Sequence, residues 1–272
     1  MNNKKVQHIP LQGISLITIC LNSASTIGRT IESIAAQKDD HVQYIVIDGG
    51  STDGTQEIVS SYEHFVDYFI SEPDRGISDA FNKGLNVANM DIVGLINSDD
   101  TLLPGAILSV RQAFQSNPEV EVVHGDILLY DGEQFVKQIS PAGKWWFPWR
   151  LVLFNHPATF VKRDVYKRFG GFSSEFKFAM DDDLFLTWIQ EKVQLQYTQV
   201  AFVRMQAGGL SGRFAFQVFK EKRKTLLAHG YNPLLVNLQY VARFGVQIAA
   251  YLQKIIRDFR TGSMVSTHDH TG

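Results

Sequence analysis

Short apolar runs and helical stretches alternate through the first hundred residues, and this alternation limits the fold more than any other feature of the chain. Ile14 to Leu21, Val42 to Asp48, Val66 to Ser71 and Ile92 to Ser98 read as strands. Between them, Thr26 to Gln37 sets Ile27, Ile31, Ile34 and Ala35 on one face, and Thr55 to Tyr62 does the same with Ile58, Val59 and Tyr62. Ile77 to Ala88 spaces Ile77, Ala80, Phe81, Leu85 and Ala88 three and four residues apart, the helical period. Strands alternating with helices of this length pair in parallel and are covered on both faces, so they can be apolar throughout. The third strand is expected near an edge. Pro104 suits the first turn of another helix running to Ser116.

Two of the runs end in acid: Asp48, and the adjacent Asp99 and Asp100. The carboxyl edge of a parallel sheet is where ligands bind, and two neighbouring carboxylates repel unless a cation or hydrogen-bond donors offset them. A helix cap needs only one acid, so the pair points to a divalent metal site. The stretch Asp48-Gly49-Gly50-Ser51-Thr52-Asp53-Gly54-Thr55 fits a tight strand-to-helix turn; a plain capped turn accounts for it too, and it lacks the G-x-G-x-x-G order of a dinucleotide site. Asp181, Asp182 and Asp183 head a helix carrying Phe185, Trp188 and Ile189. Acids there complement the helix dipole, but three in succession exceed that need, and one could serve as a general base. Glu72 to Gly84 brings Arg75, Asp79, Asn82 and Lys83 to a helix start; the two cations could offset diphosphate charge or be solvated surface groups.

Beyond residue 118 the pattern turns antiparallel, with Val120 to Tyr130 and Glu133 to Ile139 flanking a hairpin signal at Asp131-Gly132. Lys144 to Leu153 holds Trp145, Trp146 and Trp149, which read as a packed loop or as a platform for stacking sugars. After Asn232-Pro233 a long helix is expected, with Leu234, Leu238, Val241, Gly245, Ile248, Leu252, Ile255 and Phe259 in one stripe. Arg243, Lys254, Arg257 and Arg260 beside that stripe permit a peripheral contact with an anionic membrane, while its width equally suits core packing or a homodimer.

A formal charge of -2 provides no overall basic field, so no nucleic acid partner is expected. Cys20 is the only cysteine; no intramolecular disulfide can form, and a cytoplasmic setting follows. Lys4, Lys5 and the apolar Ile14 to Leu21 imitate a secretory signal, but Gln7, His8 and Gln12 interrupt it and the stretch makes a good first strand. No window approaches the roughly 18 apolar residues of a spanning helix. The tail from Gly262 is expected to be disordered.

Five stretches together resemble the inverting glycosyltransferases of family 2, of the bacterial type that builds colanic acid, O-antigen and other exopolysaccharides. They are Ser15 to Asn22, Tyr44 to Thr55 (YIVIDGGSTDGT), Glu72 to Leu85 (EPDRGISDAFNKGL), Gly94 to Pro104 (GLINSDDTLLP) and Asn155 to Leu186. The resemblance implies a GT-A (Rossmann-like) α/β fold with a mixed, mostly parallel sheet flanked by helices. It implies a catalytic domain over 1–212, with a nucleotide-sugar half at about 14–118 and an acceptor half at about 119–212. A helical extension over 213–260 and the tail 261–272 complete the expected organisation.

For the site, the resemblance implies donor contacts from Thr18, Asn22, Asp48, Arg75, Asp79, Asn82, Lys83, Ser98 and Asp99. Asp99 and Asp100 would hold Mn2+ or Mg2+, and Asp181 would be the catalytic base with Asp183 as its structural companion. His156, Trp146, Gly209 and Ser211, with Gly208, would belong to the acceptor side or to a loop over the donor. Gly49 stands where the family usually carries a second Asp, and Asn97 where it carries the leading Asp of its metal motif. The implied reaction moves a sugar from a nucleotide diphosphate sugar to a hydroxyl of a growing, lipid-linked glycan at the inner face of the plasma membrane. Two other readings stay open here: a nucleotidyltransferase or similar nucleotide enzyme, and a non-catalytic carbohydrate-binding protein on the same fold.

Overall fold

The computed structural model describes residues 12–141, 154–208, 215–242 and 245. Two compact units divide the chain, Met1–Lys222 and Arg223–Gly272, later than the boundary at 212 drawn from the sequence.

The first unit is built on one mixed sheet. β1 (Ile14–Cys20), β2 (Val42–Asp48), β3 (Tyr68–Ser71) and β4 (Ile92–Asn97) pair in parallel, with α1 (Ile27–Ala35), α2 (Thr55–Ser61) and α3 (Ile77–Val87) as the crossovers. β5 (Thr101–Leu102) and α4 (Ala106–Ser116) follow, then β6 (Val122–Asp131), β7 (Gln134–Ile139), β8 (Thr159–Lys162), α5 (Arg163–Phe169), α6 (Met180–Gln190), β9 (Leu195–Gln206) and α7 (Ala215–Ala228). The strand order is β3-β2-β1-β4-β8-β6-β9-β5, with β7 paired to β6. This is the mixed, mostly parallel GT-A arrangement, and β3 lies at an edge as expected.

Five of the six residues of β4 are buried, and β2 has only Gln43 partly exposed, because helices cover both faces. The core packs Ile27, Ile31 and Ile34 of α1 and Val110 and Phe114 of α4 against Leu16, Tyr44, Val46, Ile96 and Phe160 from the sheet. Arg111, only 5% exposed, reaches from α4 to Asp39 with two hydrogen bonds of 2.6 and 2.8 Å, tying α4 to the loop between α1 and β2.

The hairpin differs from expectation by one residue. Asp131 pairs with Gln134, so Gly132 and Glu133 form the loop, and Gly132 takes the positive φ of 57° that the turn requires. A register shift between Leu129 and Tyr130 absorbs the change.

In the second unit a helical stretch covers 233–242, and Asn232 caps it by accepting the backbone N–H of Leu234 at 2.9 Å. Val236 and Gln239 are buried, whereas Leu234, Leu238 and Val241 are exposed. The rest of the expected long helix and the tail from 261 lie outside the described residues. No helix among the described residues is long and apolar enough to cross a membrane.

Candidate active site

Parallel pairing fixes where the acids emerge. Cys20 is opposite Asp48, Asp48 opposite Ser71, and Ile19 opposite Asn97, so β1, β2, β3 and β4 end at one edge. β8 runs antiparallel to β4 and therefore starts near that edge, directly after the 3₁₀ turn His156–Ala158. The chain thus delivers Asp48, Ser98, Asp99, Asp100 and His156 to one end of the sheet.

Asp48 is fully buried, and both its oxygens are occupied. It accepts hydrogen bonds from the backbone N–H of Gly50 (3.1 Å) and Ser51 (2.9 Å), from the hydroxyls of Ser51 and Ser71, and from the Cys20 thiol. Burial pushes its carboxyl up, but these donors more than offset burial and hold it below the ordinary range. Asp48 therefore folds the loop after β2. Asn22 completes that loop: its N–H donates to Ser51 Oγ at 2.7 Å and its Oδ1 accepts from Thr52 at 3.0 Å, while Asn22 itself holds φ of 50°. Thr18 is also fully buried, its hydroxyl bonded to Tyr44 OH at 3.1 Å, so it offers no surface to a ligand.

A side chain at position 49 would find its place taken: a Cβ there would lie 2.5 Å from Asp74 Oδ2. Asp74 comes from the loop after β3, where its Oδ1 accepts the Gly76 N–H at 2.8 Å.

Asp100 is 1% exposed. Burial and the neighbouring charge of Asp99 push its carboxyl up to about 8, against the opposing pull of the Asn97 amide and the Gln206 backbone N–H. Asn97 Nδ2 donates to Oδ2 at 2.9 Å, whereas Oδ1 is buried with no hydrogen-bond partner among the described residues. Asp99, half-buried, is raised as well, chiefly by burial. Thr30 of α1 clamps the turn by donating to the Asp100 carbonyl at 2.7 Å, and Ser98 Oγ lies 2.9 Å from Ser23 Oγ.

At the start of α3 and along it the expected cations are already paired. Arg75 bonds Asp79 at 2.9 Å with its side chain 89% exposed, and Lys83 contacts Glu72 at 2.8 Å and Asp79 at 3.8 Å. Asn82 uses both ends of its amide on the backbone of Phe172, each at 2.8 Å, and so pins α3 to the loop before α6.

That loop leads to Asp181, which is partly exposed and accepts the Asp182 N–H at 2.9 Å. His156 faces it. Burial lowers the imidazole's pKa and the charge of Asp181 raises it, with burial the larger effect, so the ring is neutral. Its Nε2 is buried without a partner among the described residues, and the ring packs edge-on against Phe81 at 5.1 Å. Asp182 is buried and 2.6 Å from Lys222 Nζ. Asp183 lies in the first turn of α6, partly exposed. Trp146, Gly209 and Ser211 lie outside the described residues. Gly208 is described, at φ of 90°.

Among the described residues no group of three or more His, Cys, Asp and Glu side chains could hold a metal by itself. A depression of about 610 Å³ opens at the opposite edge of the sheet, beside Lys38, His64 and Asn89, and contains none of these acids. Asp74, Asn97, Gln206 and Lys222 were not among the residues expected to form the site; Lys222 comes from a helix with no local motif to mark it.

Residues 15–185 match the family model described as Glycosyl transferase family 2. Over 178 residues the chain is 30% identical to an uncharacterized glycosyltransferase of Mycobacterium tuberculosis, covering 64% of this chain and 67% of that protein. It is 28% identical over 124 residues to poly-β-1,6-N-acetyl-D-glucosamine synthase of Staphylococcus epidermidis, covering 45% of this chain and 30% of the synthase. Residues 1–349 of S. aureus TarS in complex with UDP-GlcNAc superpose with a TM-score of 0.62 at 17% identity, covering 84% of this chain and 70% of that one. Mannosyltransferase PcManGT from Pyrobaculum calidifontis, in complex with GDP-Man and Mn2+, gives a TM-score of 0.59 at 16% identity, covering 95% and 82%. At these identities the two structures establish likeness of fold.

Proposed function

Given that the chain belongs to glycosyl transferase family 2 and is a glycosyltransferase, we propose that it moves a sugar from a nucleoside diphosphate donor to a hydroxyl of a growing, lipid-linked bacterial surface glycan, with inversion. The observation that carries the reading is the unpartnered Oδ1 of buried Asp100, beside Asp99 at the carboxyl edge of β4. A buried carboxyl raised by a like charge fits a missing cation, and two carboxylates rather than a full cage fit an ion completed by substrate phosphates. Asp99 and Asp100 would hold Mn2+ or Mg2+. Bound there, the ion would act as a Lewis acid on the leaving diphosphate.

The remaining work falls to the chain. Asp181, partly exposed, would accept the proton of the acceptor hydroxyl while that oxygen forms its bond to the anomeric carbon and the bond to the diphosphate breaks. One displacement from the opposite face inverts the centre. Neutral His156 beside it would help place the acceptor. Asp74 would supply the acid that position 49 lacks. Asp48 and Thr18 would act from beneath, by shaping the loop and strand on which the donor rests, while Asn22 and Ser98 border it. Arg75 and Lys83 would meet the donor only by exchanging their present carboxylate partners for phosphate.

For the acceptor, the likeness to poly-β-1,6-N-acetyl-D-glucosamine synthases supports a polysaccharide over a small molecule, and we place the chain in exopolysaccharide, colanic acid or O-antigen assembly. In the second unit, Leu234, Leu238 and Val241 expose an apolar face, and between 223 and 260 six Lys and Arg stand against the single acid Asp258. Both features fit peripheral contact with an anionic lipid surface at the cytoplasmic side. Flotation with anionic vesicles should carry the protein up; a salt-insensitive dimer that ignores vesicles would favour the homodimer reading instead.

The test of the reaction is turnover of UDP-GlcNAc, UDP-glucose and GDP-mannose with Mn2+, followed as nucleotide release. Asp181→Asn should lower kcat by roughly 10² to 10⁴ while nucleotide affinity stays near wild type. Near-wild-type turnover by Asp181→Asn would remove the base assignment.

A further inference from the structure

Backbone amides upstream of a helix are orphan donors unless something accepts them. Before α6 three such donors come in succession, the N–H groups of Lys177, Phe178 and Ala179, and a single carboxylate oxygen collects all three: Glu221 Oε2, at 2.9, 2.6 and 3.1 Å. The next residue, Lys222, sets its ammonium 2.6 Å from Asp182 Oδ2 in the first turn of α6. Burial and the Asp181 charge raise the Asp182 carboxyl while Lys222 pulls it back, so the contact offsets part of what burial costs a charge there. Adjacent residues of α7 thus grip both sides of Asp181: the backbone entering the helix and the side chain that follows.

We infer that Glu221 and Lys222 are positioning residues for Asp181, and that α7 sets the reach of the base toward the acceptor hydroxyl. The inference rests on the proposed role of Asp181. Physically, Asp181 lies on the first helical turn, the part that frays first. Among the described residues, the adjacent Asp182 N–H is the hydrogen bond to the Asp181 side chain. A base must sit within hydrogen-bond reach of its proton, and a displacement of about 1 Å can cost on the order of a hundredfold in rate. Nothing in this contact set touches the donor edge at Asp99 and Asp100, so donor binding should be indifferent to it.

The experiment compares wild type, Glu221→Ala, Glu221→Gln, Lys222→Met, Lys222→Arg and the pair Asp182→Asn with Lys222→Met. Each is assayed for nucleotide release from the best of UDP-GlcNAc, UDP-glucose and GDP-mannose with Mn2+, with Asp181→Asn as reference, and for amide hydrogen exchange over 177–183. Glu221→Ala and Lys222→Met should lower kcat by about ten- to a hundredfold with donor KM unchanged within about twofold, and should speed exchange in that segment. Lys222→Arg and the neutral pair should recover most of the turnover, since a matched pair is restored without a stranded charge, and Glu221→Gln should recover part through its remaining carbonyl. Wild-type kcat in Glu221→Ala and Lys222→Met beside an inactive Asp181→Asn would overturn the positioning role and leave the base intact. Donor KM rising in step with falling kcat would overturn it too, as general loss of structure. An active Asp181→Asn would instead remove the reading on which it rests.

Discussion

Replacing Asp100 with Asn should make the ligand-free protein more stable while removing its response to metal and nucleotide. An ordinary aspartate titrates near 3.8, and burial with the Asp99 charge moves this one to about 8. The unfolded chain therefore loses its proton far earlier than the folded chain as pH rises, and stability falls progressively between those two values. At pH 7 the linkage amounts to a penalty on the order of 4 kcal/mol. Asn keeps an acceptor for Asn97 Nδ2 but puts an amide group where Oδ1 had no partner, which costs about 1–3 kcal/mol. A net gain of about 2 kcal/mol remains, equivalent to a rise in Tm of roughly 4 to 8 °C. Differential scanning fluorimetry of both proteins from pH 4.5 to 8 is the assay. The gain should shrink on acidification, because below the unfolded pKa both carboxyls are protonated. With Mn2+ and UDP at about a hundred times Kd, wild type should gain about 2.7 kcal/mol and the variant nothing. A variant no more stable than wild type at any pH, or one that still responds to Mn2+ with UDP, refutes the reasoning.

Acid should destabilise the fold through His124. Burial holds its imidazole down at about 4, against an ordinary 6.5, with the ring stacked on Tyr197 and edge-on to Phe154. The unfolded chain binds this proton first, so stability should fall as pH drops from 6.5 toward 4, by on the order of 3 kcal/mol. Urea titrations of His124→Phe should show a correspondingly shallower loss; an identical pH slope would exclude His124 as the source. Gly94 is the close approach between β4 and β8: a Cβ there would lie 2.6 Å from Phe160 Cε1 and 2.9 Å from Leu16 Cδ2. Gly94→Ala should therefore cost about 1–3 kcal/mol in urea unfolding, and a neutral effect would mean that Phe160 shifts freely.

The order of the first four strands, their helices and the edge that collects their ends was legible because parallel βα units are written locally. Ile14 to Cys20 and Val42 to Asp48 are mostly apolar, each is followed by a helix-period segment, and Asp48 and Asp99 mark where the chain leaves the sheet. The later half of the sheet, where β6 pairs antiparallel with β7 and β8 but parallel with β9, was less legible. β8 is only four residues, and β9 runs Leu195–Gln206 with polar and apolar residues mixed, so neither has a clean period; their strand state comes from partners distant in sequence.

Residue types alone set which chemistry the chain can attempt, since paired carboxylates after a buried strand have few uses and a single cysteine excludes an intramolecular disulfide and a thiolate-rich metal site. Solvent access was decided by the tertiary structure. It covered Asp48 and Thr18, left Oδ1 of Asp100 without a partner among the described residues, and brought Glu221 and Lys222 to the turn that carries Asp181. The physical reason is that burial and hydrogen-bond saturation depend on packing between segments far apart in the chain, which spacing along it does not encode.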